Sequence, residues 1–536
     1  MNEATIVPDT CRTRAGHLPA YGDDKWTRAA PEHLRNFFET ECEVFFCFNA
    51  TEGELGPKLQ MDGARFMCPW DTTEADPLLQ RTQSVQSHLT PERDARAGAM
   101  KLITRLFVAF LLITTASSAQ GMGDTAGTKG PTVLRAARML DVQSGEMVEN
   151  AVIVVEEGLI TALNPSSVPE SRQDMDLGDV TLLPGFIDSH THIAWEVSAT
   201  TFIQPVITTE SHAAFRSVLF GGRTLRAGFT TIRDFGGDVS VELGKAVDRG
   251  DVIAPRVIPS RYPLGITGGH CDLTGFAPGI LERSPKDGLA DGPWEVVRAV
   301  RYQIKHGAKV IKTCATAGVL SMEGPVGAQQ YSFEELKAMV EEAARHGVKV
   351  AAHAHGADGI LAAVKAGVAS IEHGSMIDDE IIRAMKKRGT FLVPTLYLAD
   401  RIDLDVLPPA VRRKAEEILP LARESVERAI KAGVPIAFGT DAGVFPHGEN
   451  AGEFEVYVDI GMSELEALRT ATVHAADLLD TPDRGVLAAG KLADIIAVPG
   501  NPLDDIRVTK DVRFVMLGGR IIKNVTHVPR GDPAGS

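Results

Sequence analysis

The stretch that decides the fold is "RHGVKVAAHAH" at residues 345–355. A basic residue and a glycine precede a short apolar run, which ends in histidines. A cation suits the negative end of a helix dipole, and glycine readily takes the left-handed conformation in which many helices end. An apolar run without polar alternation is typical of a strand buried on both faces, as in a parallel sheet. The stretch therefore predicts a helix end, a turn and a buried parallel strand.

The same order of residues recurs along the chain. It appears in "RAGFTTIRDF" (226–235), "KHGAKVIKTC" (305–314), "KAGVASIEHG" (365–374), "KRGTFLVPTL" (387–396) and "KAGVPIAFGTDAG" (431–443). Intervening segments such as 332–347 and 378–389 have apolar residues at helical spacing. With "LLPGFIDSHTHI" (182–193) as the first strand and "PRVIPS" (255–260) as the third, the chain has eight β-α units. We therefore expect an α/β fold with a TIM (β/α)8 barrel over residues 184–482.

Both flanks of this barrel carry signals for β-strands. Residues 133–163 and 485–524 contain short runs rich in apolar and β-branched side chains, separated by glycine-containing turns. Because these segments lie at opposite ends of the mature chain, they predict one small β-sandwich domain, formed jointly by residues 130–183 and 483–527.

Residues 100–119 have the features of a secretory signal peptide. Lys101 and Arg105 precede an apolar run from Leu106 to Ile113, which is shorter than the roughly 20 residues that a membrane span needs. Small residues at the end of the segment predict cleavage after Ala119. We therefore expect a secreted or periplasmic protein without a membrane anchor.

Residues 1–99 precede that segment, and a signal peptide does not function deep inside a chain. We interpret them as an over-extended start or a disordered extension, with a genuine extra domain as the alternative. The mature chain would keep two of the six cysteines, Cys271 and Cys314. Two cysteines so far apart in sequence do not define a disulfide framework.

Composition narrows the function classes. The chain is 44% hydrophobic and 24% charged, as in ordinary globular proteins, and its net charge of −16 comes without a basic patch. These features argue against binding to nucleic acid. A small-molecule or peptide substrate is therefore the expected partner.

Candidate metal ligands lie near the predicted strand ends. His190 and His192 in "PGFIDSHTH" are two residues apart on a strand, so both imidazoles point to one face. Lys312, His353 and His373 each follow the glycine of their repeat by five or six residues. Barrel active sites are built at these ends, and paired neutral imidazoles are favoured ligands of Zn²⁺. The pattern predicts a metal site at this end of the barrel.

As a set, these motifs resemble those of the amidohydrolase superfamily over roughly residues 130–525. The motifs are "PGFIDSHTH" (184–192), "VIKTCA" (310–315), "AAHAHG" (351–356), "IEHG" (371–374) and "FGTDAG" (438–443). The lysine on the fourth strand and "GGHCDL" (268–273) most resemble the imidazolonepropionase-like branch. That branch includes Xaa-Pro dipeptidases (prolidases) and amidases that hydrolyse ochratoxin.

The resemblance implies a metal-dependent enzyme that hydrolyses C–N bonds with two divalent metal ions, for which Zn²⁺ is expected. It implies that His190, His192 and Asp441 hold one ion, and that His353 and His373 hold the other. A hydroxide activated by the metals would attack the carbonyl, with Asp441 as general base.

Lys312 and the histidine pair of the fifth strand each have two interpretations. A buried ammonium needs a partner, so Lys312 either forms an ion pair with Asp234 or, as the resemblance implies, is carbamylated by CO₂ and bridges the two metals. In "HAH" (353–355), the spacing favours His353 as the metal ligand. His355 would then either contact the ligand residues without binding the metal or face the substrate.

Two further residues are candidates for contact with the substrate. His270 follows the third strand in a glycine-rich loop, and it either reaches the reacting carbonyl or lies in solvent. Tyr331 precedes a helix, and its hydroxyl either donates to a substrate carboxylate or packs at the helix start. Residues 316–330, rich in small side chains, are interpreted as an active-site loop.

The expected reaction is hydrolysis of an amide or peptide bond to a C-terminal amino acid with a free carboxylate. Xaa-Pro dipeptides, N-acyl amino acids and ochratoxin A belong to this class. Alternatives are a cyclic amide or lactone hydrolase, a deaminase on the same site, and a non-catalytic assembly protein. The resemblance also implies a homo-oligomer.

Overall fold

The computed structural model describes residues 58–61, 64–67, 130–171 and 173–526. The predicted signal peptide and nearly all of residues 1–99 lie outside this range. The chain divides into two compact units, Met1–Asp124 and Thr125–Ser536. In the first, strands β1 (Lys58–Met61) and β2 (Ala64–Met67) pair antiparallel.

The second unit begins with five strands: β3 (Thr132–Leu140), β4 (Met147–Glu156), β5 (Leu159–Leu163), β6 (Gln173–Asp176) and β7 (Val180–Pro184). It then supplies two parallel sheets. The first contains β8 (Phe186–Thr191), β9 (Phe229–Asp234) and β10 (Arg256–Pro259). The second contains β11 (Ile311–Cys314), β12 (Val350–Ala354), β13 (Ser370–His373) and β14 (Phe391–Val393).

Helices alternate with these parallel strands, as the repeat predicts. They are α1 (Gln204–Ile207), α2 (Glu210–Arg226), α3 (Gly237–Arg249), α4 (Pro293–Lys305), α5 (Phe333–Arg345), α6 (Ala357–Ala366), α7 (Asp379–Arg388), α8 (Leu398–Arg401), α9 (Pro409–Lys431), α10 (Gly452–Asp459), α11 (Glu464–Arg469) and α12 (Ala475–Leu478). The result is a TIM-barrel-like α/β fold. Among the described helices, none combines the length and apolar character needed to cross a membrane.

Local sequence explains why these helices begin and end where they do. Ser332 and Glu335 form a reciprocal capping box at the start of α5. Arg345 lies in its last turn, and Gly347 just beyond has a φ of 68°, which glycine adopts without strain. The basic residue and the glycine thus end the helix, as the repeat predicts.

The eighth predicted strand departs from the expected repeat. Residues 434–442 lie between β14 and β8 and bond to both. Leu392 N–H donates to Pro435 O at 2.9 Å, and Leu392 O accepts from Ala437 N–H at 3.0 Å. On the other side, Ser189 N–H donates to Phe438 O and Asp441 N–H donates to His190 O, each at 2.8 Å. Pro435 has no N–H to donate, and Asp441 has a left-handed φ of 62°. Both features interrupt a regular ladder.

The two ends of the second unit meet in one sheet of eight strands. It adds β15 (Ile495–Pro499), β16 (Phe514–Leu517) and β17 (Arg520–Asn524) to β3–β7, in the order β17-β16-β15-β7-β3-β4-β5, with β6 beside β3. Leu183 and Ile496 pack in the cluster that forms the barrel core, whereas their neighbours Leu182 and Ile495 pack in a separate cluster within this domain. The sheet is therefore buried on both faces here. Its arrangement as a two-layer sandwich stays a prediction.

Candidate metal centre

The carboxyl ends of the barrel strands open into a cavity of about 790 Å³. This volume lies within the usual range for sites that bind small molecules. The predicted residues that line it are His190, His192, His270, Lys312, His353, His355, His373 and Asp441. The barrel therefore gathers side chains from strands far apart in sequence at one concave surface.

The first cluster joins β8 to the irregular eighth segment. His192 Nε2 and His190 Nε2 lie 3.2 and 3.4 Å from Asp441 Oδ1. The ligand atoms of these three side chains lie within 4.8 Å of one another, close enough to share one cation. Two imidazoles and a carboxylate form a donor set that suits Zn²⁺.

Glu372 orients the first of these histidines, and the sequence analysis overlooked it. Its Oε2 lies 2.8 Å from His190 Nδ1, and its Oε1 accepts a hydrogen bond from Arg233 Nη2 at 2.8 Å. Burial alone would raise the pKa of Glu372, but Arg233 and His190 lower it to about 2. The ionised carboxylate therefore accepts the Nδ1 proton and leaves Nε2 free to bind a metal. An acidic residue directly before His373 in "IEHG" is the signal that could have found it.

The second cluster consists of His353, His355 and His373, whose ligand atoms also lie within 4.8 Å of one another. His355 Nδ1 is 2.8 Å from Ser375 Oγ, and His373 Nδ1 is 2.7 Å from Thr395 Oγ1. Burial is the largest reason that all three imidazoles have lowered pKa values. They are therefore neutral and able to act as ligands.

The geometry leaves the choice between His353 and His355 open. The sequence analysis favours His353, and the structure brings both into the cluster. His353 Nε2 is buried and has no hydrogen-bond partner among the described residues. The two clusters adjoin, because the rings of His190 and His373 have centroids 5.0 Å apart.

Lys312 is buried near both clusters. Its Nζ lies 4.1 Å from the centroid of the Phe235 ring and makes no hydrogen bond within the described part of the chain. The carboxylate of Asp234 instead accepts from Thr191 Oγ1 and from the backbone N–H groups of Ile193 and Gly236. The alternative of an ion pair with Asp234 is therefore wrong. Burial lowers the pKa of Lys312 to about 8, although Glu372 and Asp441 oppose the shift.

The backbone is strained where it delivers the site residues. His373, Thr395 and Asp441 have φ values of 72°, 56° and 62°, in the left-handed region that side chains rarely adopt. Such conformations persist only when the surrounding structure enforces them, and they concentrate at functional sites. Three of them at consecutive strand ends mark this end of the barrel as the functional one.

His270 lies beside the second cluster rather than in open solvent. Its ring stacks on that of His353 with centroids 4.3 Å apart, and its Nδ1 lies 2.7 Å from Ser321 Oγ. Ser321 in turn donates to Glu323, so its oxygen can accept the Nδ1 proton of His270. A Cβ at Gly318 would overlap the imidazole, which explains the glycine there. Nε2 of His270 is left for the cavity.

Tyr331 requires a correction. Its side chain is fully buried in the barrel core, and its hydroxyl donates to Ala290 O at 3.1 Å. It does not line the cavity, and its ring packs in the hydrophobic cluster of the barrel core. The proposed contact with a substrate carboxylate is therefore wrong, and the structural interpretation is the correct one.

We expect Tyr331→Phe to lower the free energy of unfolding by about 1 kcal/mol, because Ala290 O loses its buried donor. Catalysis should be unchanged, since the hydroxyl does not face the cavity. Chemical denaturation and steady-state kinetics on the same preparation would check both points. A raised KM with unaltered stability would contradict the placement in the core.

The two cysteines of the mature chain form a disulfide, Cys271–Cys314, with Cα atoms 5.9 Å apart. The sequence analysis did not infer it, because 43 residues separate the pair. Cys271 follows His270, and Cys314 lies two residues beyond Lys312 on β11. The bond therefore ties the His270 loop to the strand that carries the lysine.

The residues present fit the binding of divalent cations. Lys312 Nζ, His353 Nε2 and Asp441 Oδ1 are buried polar atoms without a hydrogen bond of good geometry to any described residue. Such atoms are costly unless something else satisfies them. Neutral imidazoles and a carboxylate are ligands that Zn²⁺ and similar metals prefer.

Comparisons with known proteins agree with this geometry. The model of the amidohydrolase family matches residues 181–522. Ochratoxinase from Aspergillus niger is 35% identical over 431 residues, covering 74% of this chain and 88% of the relative. Imidazolonepropionase from Caldanaerobacter subterraneus subsp. tengcongensis is 25% identical, covering 68% of this chain and 87% of the relative.

Among solved structures, a Xaa-Pro dipeptidase with methionine bound in its active site is similar, with 36% identity and a TM-score of 0.69. The similarity covers 73% of this chain and 99% of that protein. Motifs, strand-end geometry and relatives thus agree, and this chain belongs to the amidohydrolase family of hydrolases that act on C–N bonds.

Proposed function

We propose that this enzyme hydrolyses the amide or peptide bond to a C-terminal amino acid that has a free carboxylate. The observation that carries the proposal is the pair of adjoining ligand clusters, His190/His192/Asp441 and His353/His355/His373, facing one cavity. Two divalent ions, with Zn²⁺ as the expected metal, would occupy them. The relatives named ochratoxinase and Xaa-Pro dipeptidase support this substrate class.

Bound metals would polarise the scissile carbonyl and activate water for the attack. The chain supplies the other functions. Asp441 accepts the proton of the attacking water and passes it to the leaving amine. His270 presents Nε2 beside His353, where it can contact the reacting carbonyl group.

Lys312 is proposed to be carbamylated. Its amine is buried without an ion-pair partner in the described residues, and it lies close enough to Asp441, His353 and His373 for their charges to affect one another. Addition of CO₂ to the neutral amine releases a proton and gives an anion with two oxygens. That anion would neutralise part of the metal charge between the clusters.

The cavity suits a substrate with a bulky apolar part. Its volume is about 790 Å³, and apolar side chains form much of its wall away from the histidines. They include Trp195, Phe202, Phe276, Met322 and Ile418. N-acyl amino acids, Xaa-Pro dipeptides and ochratoxin A, an acyl-phenylalanine amide, are the compounds to test.

We expect residues 120–536, expressed without the preceding segment, to contain about two divalent metal ions per subunit and to lose amide hydrolysis when chelated. Zn²⁺ should restore activity. Metal analysis and assays with N-acyl amino acids, Xaa-Pro dipeptides and ochratoxin A would check this. Full activity in a metal-free preparation would contradict the proposal.

The same panel separates the alternatives. Cyclic amides, lactones and deamination substrates belong in it, because imidazolonepropionase is among the relatives. Turnover of these compounds with no cleavage of linear amides would replace the proposal. Metal binding without any turnover would favour a non-catalytic assembly role.

Secretion and homo-oligomerisation also stay proposals. The disulfide Cys271–Cys314 supports an oxidising compartment, where such bonds persist. Cleavage after Ala119 would be tested by sequencing the N-terminus of the exported protein, and the oligomeric state by sedimentation.

A further inference from the structure

Arg283 places a cation in the wall of the cavity. It lies in the long loop between β10 and α4 and is half-buried. One amino group, Nη1, donates to Cys271 O, and the guanidinium carbon is 5.9 Å from the centroid of the Tyr262 ring. The other N–H groups of the guanidinium make no hydrogen bond within the described residues. Its geometry therefore leaves donors for a ligand.

The nearby carboxylates are already bound within their own loops. Asp272 accepts backbone hydrogen bonds from Gly268 and Leu273. Asp287 accepts hydrogen bonds from the backbone and the hydroxyl of Ser284. Burial is the main influence that lowers the pKa of Arg283, and a guanidinium remains charged even so. A half-buried cation without an ion pair favours an anionic ligand.

The other cations of the cavity make no hydrogen bond to the loop that carries His270, within the described residues. Among the described residues, Lys312, Arg216 and Arg283 are the lysine and arginine side chains that line it. Lys312 is assigned to the metal centre. The guanidinium of Arg216 packs over the Phe220 ring, 4.9 Å from its centroid, on helix α2.

Arg283 is also connected to the reacting centre. The carbonyl that it binds belongs to Cys271, the neighbour of His270, whose ring stacks on His353. Arg283 is therefore attached to the same loop that presents His270 to the cavity.

We propose that Arg283 binds the free carboxylate of the C-terminal amino acid and so selects acids over amides. The inference rests on the proposed function and assigns the role that the buried Tyr331 does not fill. A guanidinium binds a carboxylate through two parallel charge-assisted hydrogen bonds, whereas a neutral carboxamide offers only one acceptor. The site should therefore discriminate by about 10²-fold in kcat/KM.

The test compares N-benzoyl-phenylalanine with its carboxamide. For Arg283→Met, we expect kcat/KM for the acid to fall about 10²-fold, mainly through KM, with hydrolysis of the carboxamide unchanged. Arg283→Lys should recover part of the loss, because it restores the charge without the planar fork. Arg216→Met, a matched loss of charge in the same cavity, should keep the preference for the acid.

Two results would overturn the inference. Equal losses for acid and carboxamide in Arg283→Met would assign a structural role, and no loss would remove Arg283 from the site. If the native protein cleaves neither compound, the proposed function fails. Calorimetric titration with both compounds then decides the role of Arg283, because equal affinities of native protein and Arg283→Met for the acid would refute it.

Discussion

Replacing Lys312 with alanine is expected to lower kcat/KM for amide hydrolysis by about 10³-fold, equivalent to about 4 kcal/mol of transition-state stabilisation. The lysine lies near both ligand clusters, and its Nζ is buried without a hydrogen-bond partner among the described residues. As a carbamate it would hold the two ions together, so its loss should also reduce the metal content to about one ion or fewer per subunit. Kinetics and metal analysis on the same sample would measure both effects.

Two controls separate this role from a general effect on folding. Lys309→Ala removes an exposed lysine three residues earlier in the chain and should leave activity and metal content unchanged. Short carboxylic acids such as propionate should partly restore Lys312→Ala, because they supply the two missing oxygens. Retention of both metals and full activity in Lys312→Ala would exclude the carbamate.

Much of the barrel follows from local sequence. The cation, glycine and apolar run of each repeat specify a helix end, a turn and a strand within about ten residues, so tertiary contacts are not needed to recognise them. The candidate ligand histidines follow from the same repeat, because their distance from the glycine places them at the strand end. His190, His192, His353 and His373 are therefore found at the cavity.

Features that depend on contacts between residues far apart in sequence cannot be predicted from such local patterns. Glu372 meets His190 across 182 residues, and Cys271 meets Cys314 across 43. Whether a tyrosine before a helix faces the cavity or the core depends on the path of the preceding loop, which has no periodicity. Tyr331 was misjudged for this reason. Arg283 was missed because it lies in such an irregular loop.

Removal of the disulfide is expected to have the second large effect. Replacing both Cys271 and Cys314 with serine should lower the free energy of unfolding by about 4 kcal/mol, because a cross-link that closes a loop of this length restricts the unfolded chain. Catalysis should also weaken, because Cys271 directly follows His270 and its own carbonyl accepts the hydrogen bond from Arg283. Denaturation in residues 120–536, with and without dithiothreitol, would measure the stability.

The single variants provide the internal control. If the bond is the interaction that matters, Cys271→Ser, Cys314→Ser and the double variant should be destabilised equally, and dithiothreitol should affect only the native protein. Residues 120–536 contain no other cysteine. Two free thiols in the denatured, unreduced protein would therefore show that the bond is absent. Unequal single variants would instead indicate that packing of the two side chains in the cavity wall dominates. In either case, if the bond is present in the native protein and activity is undiminished after it has been reduced, the His270 loop keeps its position without this cross-link.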